Sequence, residues 1–105
     1  KFYEIPNVFT PNGDDINDRL IAKTTGLVEK VDFRLFNRYG VLIFETDDPR
    51  LNWDGTYKGN IVSPGVYFYQ CDVFEMRISG LEQYHLSGFV HVITEKDATV
   101  KKPEF

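Results

Sequence analysis

The stretch VDFRLFNRYGVLIF, residues 31–44, carries the reading of the fold. Val31, Phe33 and Leu35 fall on one side of an extended chain and Asp32 and Arg34 on the other, the period-two pattern of a strand buried on one face. Asn37-Arg38-Tyr39-Gly40 then joins Phe36 to a second apolar run, Val41 to Phe44. A four-residue link ending in glycine supplies the left-handed position that a β-hairpin of this length demands. Two antiparallel strands are therefore expected here, with Arg38 and Tyr39 at the tip.

The same period recurs outward in both directions. Downstream, residues 47–59 are rich in turn formers (Pro49, Asp54-Gly55, Lys58-Gly59), and Trp53 is the side chain expected to anchor this long loop on the core. Ser63-Pro64-Gly65 then launches VYFYQCDVFEM, residues 66–76, the longest expected strand, in which Tyr67, Tyr69, Cys71 and Val73 share a face. Residues 86–94 close the pattern. Upstream, residues 2–9 read as a strand interrupted by Pro6, which suits an edge or a strand that changes sheets. Residues 19–24 and 28–36 follow.

Six or seven strands spaced by turn signals, with no segment of helical period to serve as a crossover, predict an all-β chain. Its expected architecture is an immunoglobulin-like antiparallel β-sandwich of about seven strands. Residues 1–95 form the expected domain, and 96–105, EKDATVKKPEF without its first residue, the expected flexible tail.

Composition narrows the function. At 105 residues the chain suffices for one core, since a fold of this size buries roughly two thirds of its unfolded surface. The aromatic content of 15%, with nine Phe and six Tyr, favours strands. A net charge of −4 without a run of Lys and Arg lacks the footprint that a phosphate backbone requires, so no nucleic-acid partner is expected. No apolar run approaches the roughly 20 residues of a membrane-spanning helix. The N-terminal residues Lys1-Phe2-Tyr3 read as the interior of a longer polypeptide, without the regions of a signal peptide.

Catalysis finds little material. His85 and His91, the only imidazoles, lie about 20 Å apart on an extended strand, too far to share a metal. No nucleophile elbow, phosphate-cradling glycine loop or H-E-x-x-H is present, so no catalytic residues are assigned. Cys71 cannot form an internal disulfide and reads as a small buried hydrophobe.

FTPNGDDIND, residues 9–18, is the one constellation with site chemistry. Asn12, Asp14, Asn17 and Asp18 offer the hard oxygens that calcium takes in sets of six to eight, although the spacing departs from an EF-hand and Ile16 occupies a would-be ligand position. Asn and Asp also bond their own backbone two residues on, and build tight turns without an ion. Both readings stand on sequence. A second possibility is a carbohydrate-binding face, because Tyr39, Trp53, Tyr57 and Tyr84 fall in or near expected turns.

Four motifs in order, IPNVFTPNGDDIND, FRLFNRYGVLIFET, NWDGTYKGNIVSPGVYFYQ and SGFVHVIT, closely resemble the gliding-motility-associated C-terminal domain, the type B sorting domain of the type IX secretion system of Bacteroidota. The likeness covers residues 4–94. It implies a non-catalytic β-sandwich fused behind a passenger, recognised by outer-membrane components of the secretion machinery, and a cell-surface or secreted location. The family pattern falls on Pro11, Asn12, Gly13, Asp14, Asn17 and Asp18, then on Asn37, Arg38 and Gly40. It continues on Trp53, Asp54, Gly55 and Gly59, and ends on Pro64, Gly65 and Tyr67. Asp15 stands where glycine is common in the family, and Tyr39 where tryptophan is usual. Turns displayed on a rigid sandwich suit recognition, which makes Arg38, Tyr39, Asp14, Asp15 and Asp18 the expected partner-binding residues. An adhesive or carbohydrate-binding module of a surface protein is the alternative.

Overall fold

Alternating aromatic and β-branched residues commit most of the described chain to extended backbone. The computed structural model describes residues 3–11, 18–24 and 27–94. The strands are β1 (Tyr3–Glu4), β2 (Val8–Phe9), β3 (Leu20–Ile21), β4 (Lys23–Thr24), β5 (Val28–Phe36), β6 (Leu42–Thr46), β7 (Leu51–Trp53), β8 (Thr56–Tyr57), β9 (Asn60–Ile61), β10 (Gly65–Arg77) and β11 (Gly80–Val92). Among the described residues there is no helix. The tail at 96–105 lies outside them, as do positions 12–17 of the acidic loop.

One sheet dominates, in the order β2-β11-β10-β5-β6. Its pairs are antiparallel except β2 with β11, which run parallel. The remaining strands form three short pairs, β1-β4, β3-β7 and β8-β9, whose apolar residues pack into one core with those of the large sheet. These form the second layer of the sandwich, broken into pieces where a continuous sheet was expected, which is why the described residues hold eleven strands, eight of them of five residues or fewer, in place of about seven. Pro6 separates β1 from β2, so the N-terminal strand does change layers.

Residues of the two layers meet in one core. Val31, Phe33 and Leu35 of β5 are buried while Asp32 and Arg34 are exposed, as the alternation requires. Across the ladder Cys71 stands opposite Phe33, and Val73 opposite Val31. Tyr3, Ile5, Leu20, Ala22, Leu51 and Trp53 close over them from the second layer. Each such aliphatic or aromatic side chain contributes about 1.5–3 kcal/mol by leaving water.

Trp53 is the centre of this packing. Its ring lies 5.5 Å from that of Phe9, 5.7 Å from that of Phe44 and 6.5 Å from that of Tyr67. Its indole N–H donates to the Thr56 carbonyl at 3.0 Å. The expected anchor role holds, and the anchor also forms a strand, β7, that pairs with β3. Leu51 and Asn52 adopt positive φ, 66° and 59°, a conformation that sequence alone does not announce outside glycine.

The last strand begins six residues earlier than the expected 86, at Gly80. Arg77 pairs with Gly80, leaving only Ile78 and Ser79 at the turn. The first half of β11 carries Glu82 and Gln83 and lacks the apolar alternation that would reveal it. Glu82 stands opposite Glu75, and Arg77 reaches both, at 2.8 Å and 3.6 Å, so the two like charges share one guanidinium.

Candidate recognition surface

Most of the four sequence motifs are consumed by packing, and the residues left over define the candidate site. Pro11, at the start of the acidic loop, sits on Gly55: a Cβ at that glycine would lie 2.9 Å from Pro11 and 3.2 Å from the Phe9 ring. Gly55 also has φ +86°. Pro11 and the Trp-Asp-Gly motif thus interlock through a position where only glycine fits. Gly88 in turn makes room for Tyr69, its cross-strand partner, whose hydroxyl would stand 2.7 Å from an added Cβ. Tyr69 packs on Phe33 with ring centroids 5.7 Å apart. Asp54 shapes the turn by accepting from the Thr56 backbone N–H and hydroxyl, and the hydroxyl bond is the main cause holding its carboxyl below the usual range.

At the β5–β6 hairpin the division of labour is plain. Asn37 builds the turn: its side-chain oxygen accepts from the backbone N–H of Tyr39 at 2.9 Å and of Val41 at 3.0 Å, and its carbonyl from that of Gly40. Gly40 takes the left-handed position at φ +84°, as expected. The side chains of Arg38 and Tyr39 do none of this. Tyr39 is 74% exposed, with the Arg38 guanidinium over its ring at 5.1 Å and donating to its hydroxyl at 3.0 Å. Together they wall a cleft of about 300 Å³ whose far side is the Ser63–Val66 bend and Tyr67. Tyr67 donates to the Ser63 carbonyl at 2.7 Å, and burial raises its pKa, so its hydroxyl remains neutral.

Next to that cleft lies an apolar row that sequence reading missed. Leu42, Phe36, Phe68 and Phe89 stand directly opposite one another across β6, β5, β10 and β11, on the outer face of the large sheet. Val66, His91 and Val8 form the adjoining row. Phe68 is 46% and Phe89 50% exposed. The signal was present, since Phe68 and Phe89 are out of phase with the inward residues of their strands, but only register shows that they align. Farther along the same face the character turns polar: His85 lies with one ring nitrogen 2.8 Å from Asp72 and the other 2.7 Å from Gln70.

The other expected site residues separate. Asp18 is half-buried beside Arg19 and Leu20, in a depression shared with Pro6, Val8 and Asn52, and does not line the cleft of Arg38 and Tyr39. Asn12, Asp14, Asp15 and Asn17 fall outside the described residues. Among the described residues no group of three His, Cys, Asp or Glu side chains is arranged to hold a metal. The four rings considered for carbohydrate binding do not form one platform: Trp53 is buried, and Tyr84 lies within β11 rather than near a turn, packed against the core. Cys71 is buried, and desolvation first, then Asp72 and Asp32, push its thiol pKa up to about 12. It is a core side chain and no nucleophile.

An arginine stacked on a tyrosine beside exposed Phe, Leu and Val has the composition of protein–protein contact surfaces, where Tyr and Arg carry much of the affinity. Compared with protein-family models, residues 3–92 match the CHU_C type IX secretion signal domain. No curated protein and no solved structure matches the chain.

Proposed function

The chain belongs to the type IX secretion signal domain family, and from that premise we propose that it is the C-terminal address of a larger polypeptide. In this reading it directs a fused passenger through the outer membrane to the cell surface or medium, and outer-membrane components of the type IX machinery read it. Its role is recognition without catalysis, in keeping with a family that is not catalytic. The observation that carries the reading is the family match over residues 3–92.

The contact surface is the hairpin end: Arg38 and Tyr39, the cleft they share with the Ser63–Val66 bend, and the adjacent apolar row. What supports this choice is that Asn37 and Gly40 suffice to make the turn, so Arg38 and Tyr39 are exposed without a folding task. Asp14, Asp15 and Asp18 are proposed as a further contact apart from that cleft, since Asp18 lies in its own depression, and Asn12, Asp14, Asn17 and Asp18 are the set proposed to hold calcium. Replacing both Arg38 and Tyr39 by Ala in a reporter fusion tests the assignment. Export is expected to fall while the melting of the isolated domain stays cooperative, with stability changed by no more than about 0.5 kcal/mol. Normal export of the doubly substituted fusion would remove these residues from the contact.

A further inference from the structure

We propose that the outer edge of β6 is an acceptor for an extended polypeptide segment that carries basic residues at one end and apolar residues at the other. β6 ends the strand order of the large sheet, with β5 on one side and, among the described residues, no strand hydrogen-bonded on the other. A strand so placed presents a row of backbone N–H and C=O groups, and what satisfies such a row is another extended backbone. Sheets ordinarily blunt their edges with charged side chains, lysine above all, with proline, with bulges or with a very short strand. The opposite edge, β2, is two residues long. β6 is five residues long and contains neither lysine nor proline; its one charge is acidic, Glu45, and its one register shift, at Ile43, leaves Phe44–Thr46 in regular register with Leu35–Phe33.

The side chains along this edge specify the occupant. Val41 and Leu42 are 44% and 37% exposed, and Ile43 and Phe44 are only half-buried. The end of β6 and the residues after it are acidic, reading Glu45-Thr46-Asp47-Asp48. Arg34 lies 3.7 Å from Glu45 but also 3.5 Å from Asp32, and Lys30 lines the same depression as Asp32, Glu45 and Asp47, so two cations face these three carboxylates and Asp48 follows them: the edge keeps a negative excess. A complementary antiparallel strand would therefore begin with Lys or Arg beside Asp47 and Glu45 and continue with apolar side chains beside Phe44 to Leu42. A second copy does not fit. Its own residues 41–48, β6 and its flanks, have no basic residue; parallel pairing would set acid against acid, and antiparallel pairing would set Glu45 against apolar side chains.

As a statement about export this names the chemistry of the partner and rests on the reading above, but binding to the edge is measurable without the export machinery. The probes are a nine-residue capped peptide of two lysines followed by alternating threonine and valine, and its counterpart with glutamates for the lysines. Amide shifts of the isotope-labelled 105-residue chain report the site. Saturable shifts centred on Leu42–Thr46 are expected with the lysine peptide, and at least tenfold weaker binding with the glutamate peptide. Glu45→Pro and Leu42→Lys are expected to abolish binding, since proline is tolerated at an edge while removing a donor, and lysine is the natural edge blocker. If Glu45→Pro fails to fold, Leu42→Lys alone decides. Absence of saturable shifts at millimolar peptide, shifts centred off β6, equal binding of the two peptides, or self-association through β6 would each overturn the proposal. Loss of export with peptide binding intact would strike the export reading and leave the strand acceptor standing.

Discussion

Gly55 and Gly59 separate two reasons for glycine that sequence cannot tell apart. Both have positive φ, but a side chain at Gly59 would meet no atom within 4 Å, whereas one at Gly55 would collide with Pro11 and approach Phe9. Gly59→Ala is therefore expected to cost about 1–2 kcal/mol from backbone strain alone. Gly55→Ala is expected to add about 1–3 kcal/mol of overpacking, measurable as the difference between two denaturant melts. Equal losses would mean that Pro11 does not rest on Gly55. Cys71 gives a second test at this scale. Its thiol pKa is raised from 9.0 to about 12 in the fold, so the neutral form is favoured there and its contribution is complete below pH 9. As pH rises from 9 toward 12 that contribution is lost at up to ~1.4 kcal/mol per pH unit. Alkaline melts are expected to show this decline, reduced in Cys71→Val, and thiol reagents at pH 8 are expected to label the unfolded chain only.

At the scale of elements, strands with a strict inside–outside contrast were readable and the others were not. The β5–β6 hairpin and the long β10 declared themselves, because Val31, Phe33, Leu35, Tyr67, Cys71 and Val73 alternate with residues that face water. The start of β11 stayed hidden, since Glu82 and Gln83 follow no apolar period and its pairing is imposed by the partner strand. β7 looked like loop because Leu51 and Asn52 hold left-handed backbone between turn formers. The exposed row on the large sheet also needed register, which depends on where β10 meets β5 and β11. The two faces should differ sharply in energy. Phe33→Ala, at a site with no exposed surface, is expected to cost about 3–5 kcal/mol. Phe68→Thr, on the outer face, is expected to cost no more than about 1 kcal/mol, as a lost cross-strand pair. A large loss from Phe68→Thr would show that this face is part of the stabilising core rather than free for contact.

For the whole molecule, the sandwich class and the family were legible because four motifs occur in order, and the structure gives that order a physical sense: Phe9 and Pro11 meet Trp53 and Gly55, while Phe33 and Gly88 meet Tyr69. Of the expected contact residues, Arg38 and Tyr39 come together on one rim, and Asp18 lies in a separate depression. Sequence could not foresee that separation, because which loops share an end of a sandwich is decided by strand pairing. The central claim is that this folded unit is sufficient as an export address. Its most direct test is a fusion of residues 1–105 behind a periplasmic reporter in a bacterium with a working type IX system, with cell fractions assayed beside a translocon-deficient strain. The reporter is expected at the cell surface or in the medium of the competent strain and in the periplasm of the deficient one; a reporter held in the periplasm of both, with the domain folded, would contradict the account.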